Sequence, residues 1–313
     1  MNNSSASGYE ESLALQAIHF GLQLIFGFLA FLGSTFIVAM ISVSKQLQSK
    51  DFGLLCFLAV ADGLTGIGFG GSGAIGLYKI CAQSWSSPVS RWYCVHQLYT
   101  ILKVYGPLLS SLTTASLTID RLLAVSVFKS YKTLGPKYVL FLMFVPFIYS
   151  TLFTVYVIER SHEASIMVVS SCAIEESIPK ACLKKYSYSV LTGSLSSLIV
   201  YCTTVLVLIY RKELSIMSNE VITNLQEIDR YRQIRVSKAV GIIVAMTTVM
   251  VTVPHLVHTF VSQHFLIATL CSVCSAINSA VNVYIYAWKY SCFRDAVYHI
   301  YMKPFILSAS NSI

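Results

Sequence analysis

The chain has 313 residues, 55% of them hydrophobic and only 12% charged, and its mean hydropathy is +0.67. A soluble domain carries about 25% charged residues, so the charges are too few to coat a water-soluble globule, and the composition is that of a polytopic membrane protein. The net charge of +8 does not argue for nucleic acid, because the basic residues sort between alternate connections of the chain.

Seven apolar segments are long enough to cross a bilayer: Phe20–Ser44, Phe52–Tyr78, Tyr93–Phe128, Tyr138–Ile158, Tyr186–Tyr210, Val236–Val261 and Phe265–Trp288. Each meets the requirement of about 20 residues. Segments of this length read as helices, since lipid tolerates no unpaired backbone and barrel strands are far shorter. The expectation is an all-α, seven-helix transmembrane bundle in one domain, with residues 1–19 outside, 20–288 in the membrane and 289–313 inside. The first segment reads as a retained span rather than a cleavable leader, for no Lys or Arg precedes Lys45.

Fifteen Lys and Arg, from Lys45 to Lys303, fall on the side that follows the first segment. Six fall on the other: Lys79, Arg91, Arg160, Lys180, Lys184 and Lys185. By the positive-inside rule the N-terminus is outside and the C-terminus inside. Asn2 and Asn3 begin glycosylation sequons, usable on the outer face. Cys81, Cys94, Cys172 and Cys182 also fall outside, where disulfides persist; spacing alone leaves their pairing open.

The second segment closes with a run of glycines from Gly63 to Gly76, which reads as close helix packing through small residues, with an irregular outer end as the alternative. The third is the longest. It carries Lys103 inside its apolar run and Asp120-Arg121 at its inner end, and charges placed so are costly and call for partners. Pro107 lies four residues after Lys103 and takes away the donor that the Lys103 carbonyl would have in a regular helix. The sixth segment is led by the charged stretch Glu227–Arg235, expected to extend its helix inward.

Several short patterns then align. The third segment ends Asp120-Arg121-Leu122; the second carries Leu58-Ala-Val-Ala-Asp62. The seventh reads Asn278-Ser279-Ala-Val-Asn282-Val283-Tyr284-Ile285-Tyr286, followed by Trp288 to Arg294, and the sixth holds Val251-Thr252-Val253-Pro254. In these motifs and their helices the chain resembles a rhodopsin-type (class A) G-protein-coupled receptor, and more narrowly the nematode serpentine chemoreceptors. The resemblance covers nearly the whole chain, including a short amphipathic eighth helix inside.

That resemblance implies G-protein coupling through Asp120, Arg121, Tyr201 and Tyr286. It implies a polar core of Asp62, Ser110, Asn278, Ser279 and Asn282, whose oxygens suit a sodium ion as an allosteric ligand. It implies a hinge at Pro254 and a disulfide from Cys94 to Cys172 or Cys182. Lys103 falls where amine receptors carry an aspartate, roughly 27 Å above Arg121 on a straight helix. With His255, His258 and Tyr99 it forms the candidate ligand site, and a lysine there argues for an anionic or strongly polar ligand. The opposing readings are a Lys103 paired with Glu175 or Glu176, and histidines that simply fill the core.

The chain departs from the family pattern at Ser34 (for asparagine), Thr252 (for the switch tryptophan) and Ile234 (for the acid that locks the arginine). Cys94 also lies two residues further from Arg121 than is usual, pointing to an irregular outer third helix. The expected partners are a heterotrimeric G protein, a small-molecule or peptide ligand and membrane lipid, with no nucleic acid. The expected location is the plasma membrane. A seven-helix chemosensory ion channel and a peptide or neuromodulator receptor of the same fold are the alternatives. No acid, base and nucleophile converge in one leaflet, so no enzyme is expected.

Overall fold

The computed structural model describes residues 3–44, 47–48, 50–85, 87–127, 131, 133–163, 166–170, 172–217, 224–260, 265–289 and 293. Its helices in chain order are α1 (Asn3–Val43), α2 (Lys50–Cys81), α3 (Arg91–Val95), α4 (Leu98–Ser126), α5 (Pro136–Glu163), α6 (Ile174–Ser177), α7 (Lys180–Met217), α8 (Asn224–Thr247), α9 (Val253–Phe260) and α10 (Phe265–Lys289). A π-helical turn over Thr248–Thr252 joins α8 to α9. Asn2 and the segment expected to form an eighth helix, apart from Trp288, Lys289 and Phe293, lie outside the described residues.

Among the described residues six membrane-length apolar helices stand out by length and composition alone. The seventh, α10, has 25 residues, roughly 37 Å of helix and enough to cross. The bundle turns large side chains outward: Phe141 is 63% exposed, Leu152 65% and Leu206 67%. In water such a surface would aggregate; against lipid tails it is the favoured one. The third span is the axis of the bundle, with 72% of its most apolar stretch buried, against 28% for α5 at the edge.

Glycine explains how α1 and α2 come together. A Cβ built at Gly66 would stand 2.6 Å from the Gly27 carbonyl oxygen, and one at Gly73 would stand 2.5 Å from the Phe20 carbonyl. The two backbones therefore touch through residues that have no side chain. Ser34, where the family has asparagine, lies in the same seam: it is buried, and a Cβ at Gly63 would meet its Cβ at 3.2 Å. The glycine run is thus a packing surface within a continuous helix, not an irregular end.

Several spans differ from their expected limits; α1 already begins at Asn3, well before Phe20. Tyr93–Phe128, expected as one span with an irregular outer end, is two helices: Gln97 takes an extended backbone (φ −66°, ψ 127°) between α3 and α4. The offset absorbs the two extra residues and lets Cys94 reach the outer loop. The fifth span begins earlier than expected and runs on to Met217. The sixth starts at Asn224, so the charged lead-in Glu227–Arg235 extends its helix inward as expected, and it loosens into the π turn just before Pro254. Proline 254 has no N–H for the carbonyl four residues back; the Val253 N–H instead bonds five back, to the Thr248 carbonyl.

Two strands were not foreseen. β1 (Pro88–Ser90) and β2 (Met167–Val169) pair antiparallel, with Val89 opposite Val168, tying the loop after α2 to the loop after α5. The Cys94–Cys172 disulfide, with Cα atoms 5.2 Å apart, closes the same assembly beside α6. Cys81, exposed, and Cys182, buried, are both free thiols.

Candidate functional site

The third span carries three stations, and each gathers side chains from its neighbours. At the inner end Arg121 is 1% exposed. Its Nε donates to Asp120 Oδ2 at 3.0 Å, a second guanidinium nitrogen bonds the same oxygen, and one N–H reaches the Tyr131 hydroxyl at 3.3 Å. Tyr131 donates in turn to Asp120 Oδ1 at 3.1 Å. A buried guanidinium demands such partners, since five donors without acceptors would be prohibitive. Tyr131 was not singled out in the sequence; its one signal is an aromatic hydroxyl ten residues after Arg121 in an otherwise basic loop. Tyr286 is wholly buried in the inner hydrophobic core. Tyr201 packs on that core against Gly241, where a built Cβ would collide with the tyrosine hydroxyl and ring.

At mid-membrane Asp62 is fully buried. Ser110 Oγ donates to its Oδ1 at 2.8 Å, Asn282 Nδ2 to its Oδ2 at 3.1 Å, and Ser279 contributes a further side-chain hydrogen bond. Asn278 is one step outside this group; its Oδ1 accepts from Thr247 at 3.2 Å, linking the sixth span to the seventh. Asn282 Oδ1 is buried beside the carboxylate without a hydrogen-bond partner.

At the outer end a small cavity of about 30 Å³ is lined by Phe69, Lys103, Glu175, Tyr186, His255 and His258, among others. Lys103 is 2% exposed; its Nζ donates to Ser72 Oγ at 3.2 Å and stands 5.7 Å above the Phe69 ring. The carbonyl that Pro107 frees is recovered by α7, for the Tyr186 hydroxyl donates to the Lys103 oxygen at 3.4 Å. Tyr186 also meets the His255 ring edge-on at 6.1 Å. His255 Nδ1 is buried with no hydrogen-bond partner.

Tyr99 does not line the cavity: it is buried under the Cys94–Cys172 disulfide, where Gly71 lets α2 approach its Cβ. The cover of the cavity is α6, whose Ile174 and Glu175 face in while Arg91 Nε holds the Glu176 carbonyl at 2.9 Å. Burial pushes the Glu176 carboxyl up from its ordinary range, and the neighbouring Glu175 adds to the shift. Among the described residues no three His, Cys, Asp or Glu side chains cluster as a metal site would require.

The arrangement, seven membrane-length helices about a buried third span with a covered outer cavity, is that of a multi-pass membrane protein of the rhodopsin fold. Squid rhodopsin superposes with a TM-score of 0.70 over 95% of this chain and 87% of that chain, at 16% identity, a likeness of fold. Residues 27–301 match the family described as serpentine type 7TM GPCR chemoreceptor Srsx, and the chain belongs to that family. No curated protein sequence matches it.

Proposed function

We propose that the protein is a plasma-membrane chemoreceptor that passes extracellular ligand binding to a Gα subunit. The observation that carries this reading is Arg121, buried at the inner end of the same helix whose Lys103 lines the outer cavity. Residues 1–19 lie outside and 289–313 inside, as the distribution of Lys and Arg favours. Ligand in the cavity favours a conformer in which α8 swings outward about the π turn and Pro254, so that Arg121 leaves Asp120 and, with Tyr201 and Tyr286, meets the G protein. This is a population shift, with no covalent chemistry.

The oxygen set at Asp62 fits a small hard cation. A carboxylate, two serine hydroxyls and the unpartnered Asn282 Oδ1 converge there, and sodium held by them would favour the inactive conformer. Asn278 would join from the second rank.

The experiment is ligand-driven nucleotide exchange on Gα, wild type against Arg121→Ala. Exchange is abolished in the variant while surface expression persists. Intact exchange without Arg121 overturns the receptor mechanism.

A further inference from the structure

The outer cavity is lined by two opposite charges that attract one another but make no direct ion pair. Lys103 enters from α4 with only a serine hydroxyl on its ammonium group, while Glu175 enters from α6 in the outer loop. Among the described residues no ion pair within 4.0 Å joins them; the one found there is Asp120–Arg121. A dry ammonium group is costly unless an anion meets it, and a hydroxyl supplies no charge. His255, in the same cavity, adds a buried Nδ1 with no partner.

Each simpler ligand leaves a penalty. An anion suits Lys103 but faces the Glu175 carboxylate, and a cation suits Glu175 but faces Lys103. A neutral molecule drives water from both charges and compensates neither. The cavity, about 30 Å³, has room for two or three water-sized groups at about 10–15 Å³ each, so a peptide is excluded and only a molecule of a few heavy atoms enters without parting the lining.

We propose that the ligand is a small zwitterion: Lys103 takes its anionic group, Glu175 takes its ammonium group, and His255 Nδ1 makes a hydrogen bond between them. Phe69 and Tyr186 supply the apolar wall beside its short carbon skeleton. The inference deepens the receptor reading and rests on it for the ligand's location. Recognition then resembles a two-point electrostatic ruler, in which the separation of the ligand's charges sets selectivity.

The test uses the purified full-length protein in lipid nanodiscs. Thermal stabilisation is measured with the free amino acids, each beside its N-acetyl derivative, which lacks the cation, and its methyl ester, which lacks the anion. At least one amino acid stabilises the protein, and both of its blocked forms bind at least about tenfold more weakly. Lys103→Gln loses the preference over the methyl ester alone, and Glu175→Gln loses the preference over the N-acetyl form alone. If Lys103→Gln does not fold, Glu175→Gln on the outer loop decides by itself. Blocked forms binding as well as the zwitterion, a variant keeping its discrimination, or no amino acid binding at millimolar concentration overturns the proposal. No G protein enters this assay, so its failure is separate from an intact response in Arg121→Ala.

Discussion

The Tyr131 hydroxyl lies 3.1 Å from Asp120 Oδ1 and accepts an Arg121 N–H at 3.3 Å, so the acid and the arginine of the third span share one tyrosine from the following loop. The family's acid on the sixth span is Ile234 here, which cannot accept from a guanidinium. The loop tyrosine therefore supplies restraint from outside the third span itself. Removing its hydroxyl by Tyr131→Phe takes away both a donor to Asp120 and an acceptor for Arg121, at about 1.5 kcal/mol or more. Basal nucleotide exchange on Gα rises by about tenfold without ligand, while the melting temperature changes little. Unaltered basal exchange in a well-folded variant would remove Tyr131 from the lock.

The carboxylate at mid-membrane makes a second prediction. Sodium binding to the proposed set at Asp62 stabilises the folded protein by about 1.4 kcal/mol at ten times its dissociation constant. Melting of the purified wild type is compared in sodium chloride and in choline chloride at equal ionic strength. The wild type melts higher in sodium; Asp62→Asn, with the charge gone and the side-chain volume kept, melts alike in both. A sodium effect that persists in the variant would place the ion elsewhere.

The α1–α2 seam predicts a steep steric cost. A Cβ at Gly66 would stand 2.6 Å from the Gly27 carbonyl and 2.7 Å from the Phe31 nitrogen, both backbone atoms that cannot swing aside. Gly66→Val forces the two helices apart, at about 1–3 kcal/mol or more, and lowers both melting temperature and surface yield. Gly135→Ala is the control, since nothing lies within 4 Å of a Cβ built there. Equal losses in the two variants would show that the seam is not what the glycines serve.

What could be read in the sequence follows the range of the interactions. Span number rests on local hydropathy, and the family model and the rhodopsin-like fold agree with it. Pro107 announced that the Lys103 carbonyl would need another donor, because that loss is local to one helix turn. That Tyr186, 83 residues further on, supplies the donor is tertiary and left no periodic trace. The same holds for Tyr131 over Asp120, for the β1–β2 pairing of three-residue strands, and for Gly241 making room for Tyr201. Tyr99 failed as a pocket residue for a related reason: the break at Gln97 turns the first turn of α4 under the disulfide. Cys94 had two outer-loop candidates of similar spacing, and only the placement of the loop against α3 separates Cys172 from the buried thiol of Cys182.

The outer cover carries a pH dependence whose sign follows from Glu176. Its Oε2 is buried without a hydrogen-bond partner, and burial, then Glu175, raises its carboxyl above the ordinary 4.5. The folded protein thus holds this proton more tightly than the unfolded chain does. Below the unfolded value both forms are protonated and the stability is fully present. As pH rises from there through the folded value, the unfolded chain releases its proton first, and stability is lost across that window. Melting temperature measured from about pH 4.5 to about pH 8 therefore falls in the wild type. In Glu176→Gln, neutral throughout, that part of the decline is missing, so the variant matches the wild type at the acid end and exceeds it at neutral pH. Arg91 still grips the backbone carbonyl at 2.9 Å in either protein, so the cover keeps its place and the difference reports the carboxyl alone. Parallel curves for the two proteins would mean that Glu176 is solvated in the folded state and that its burial does not set the trend.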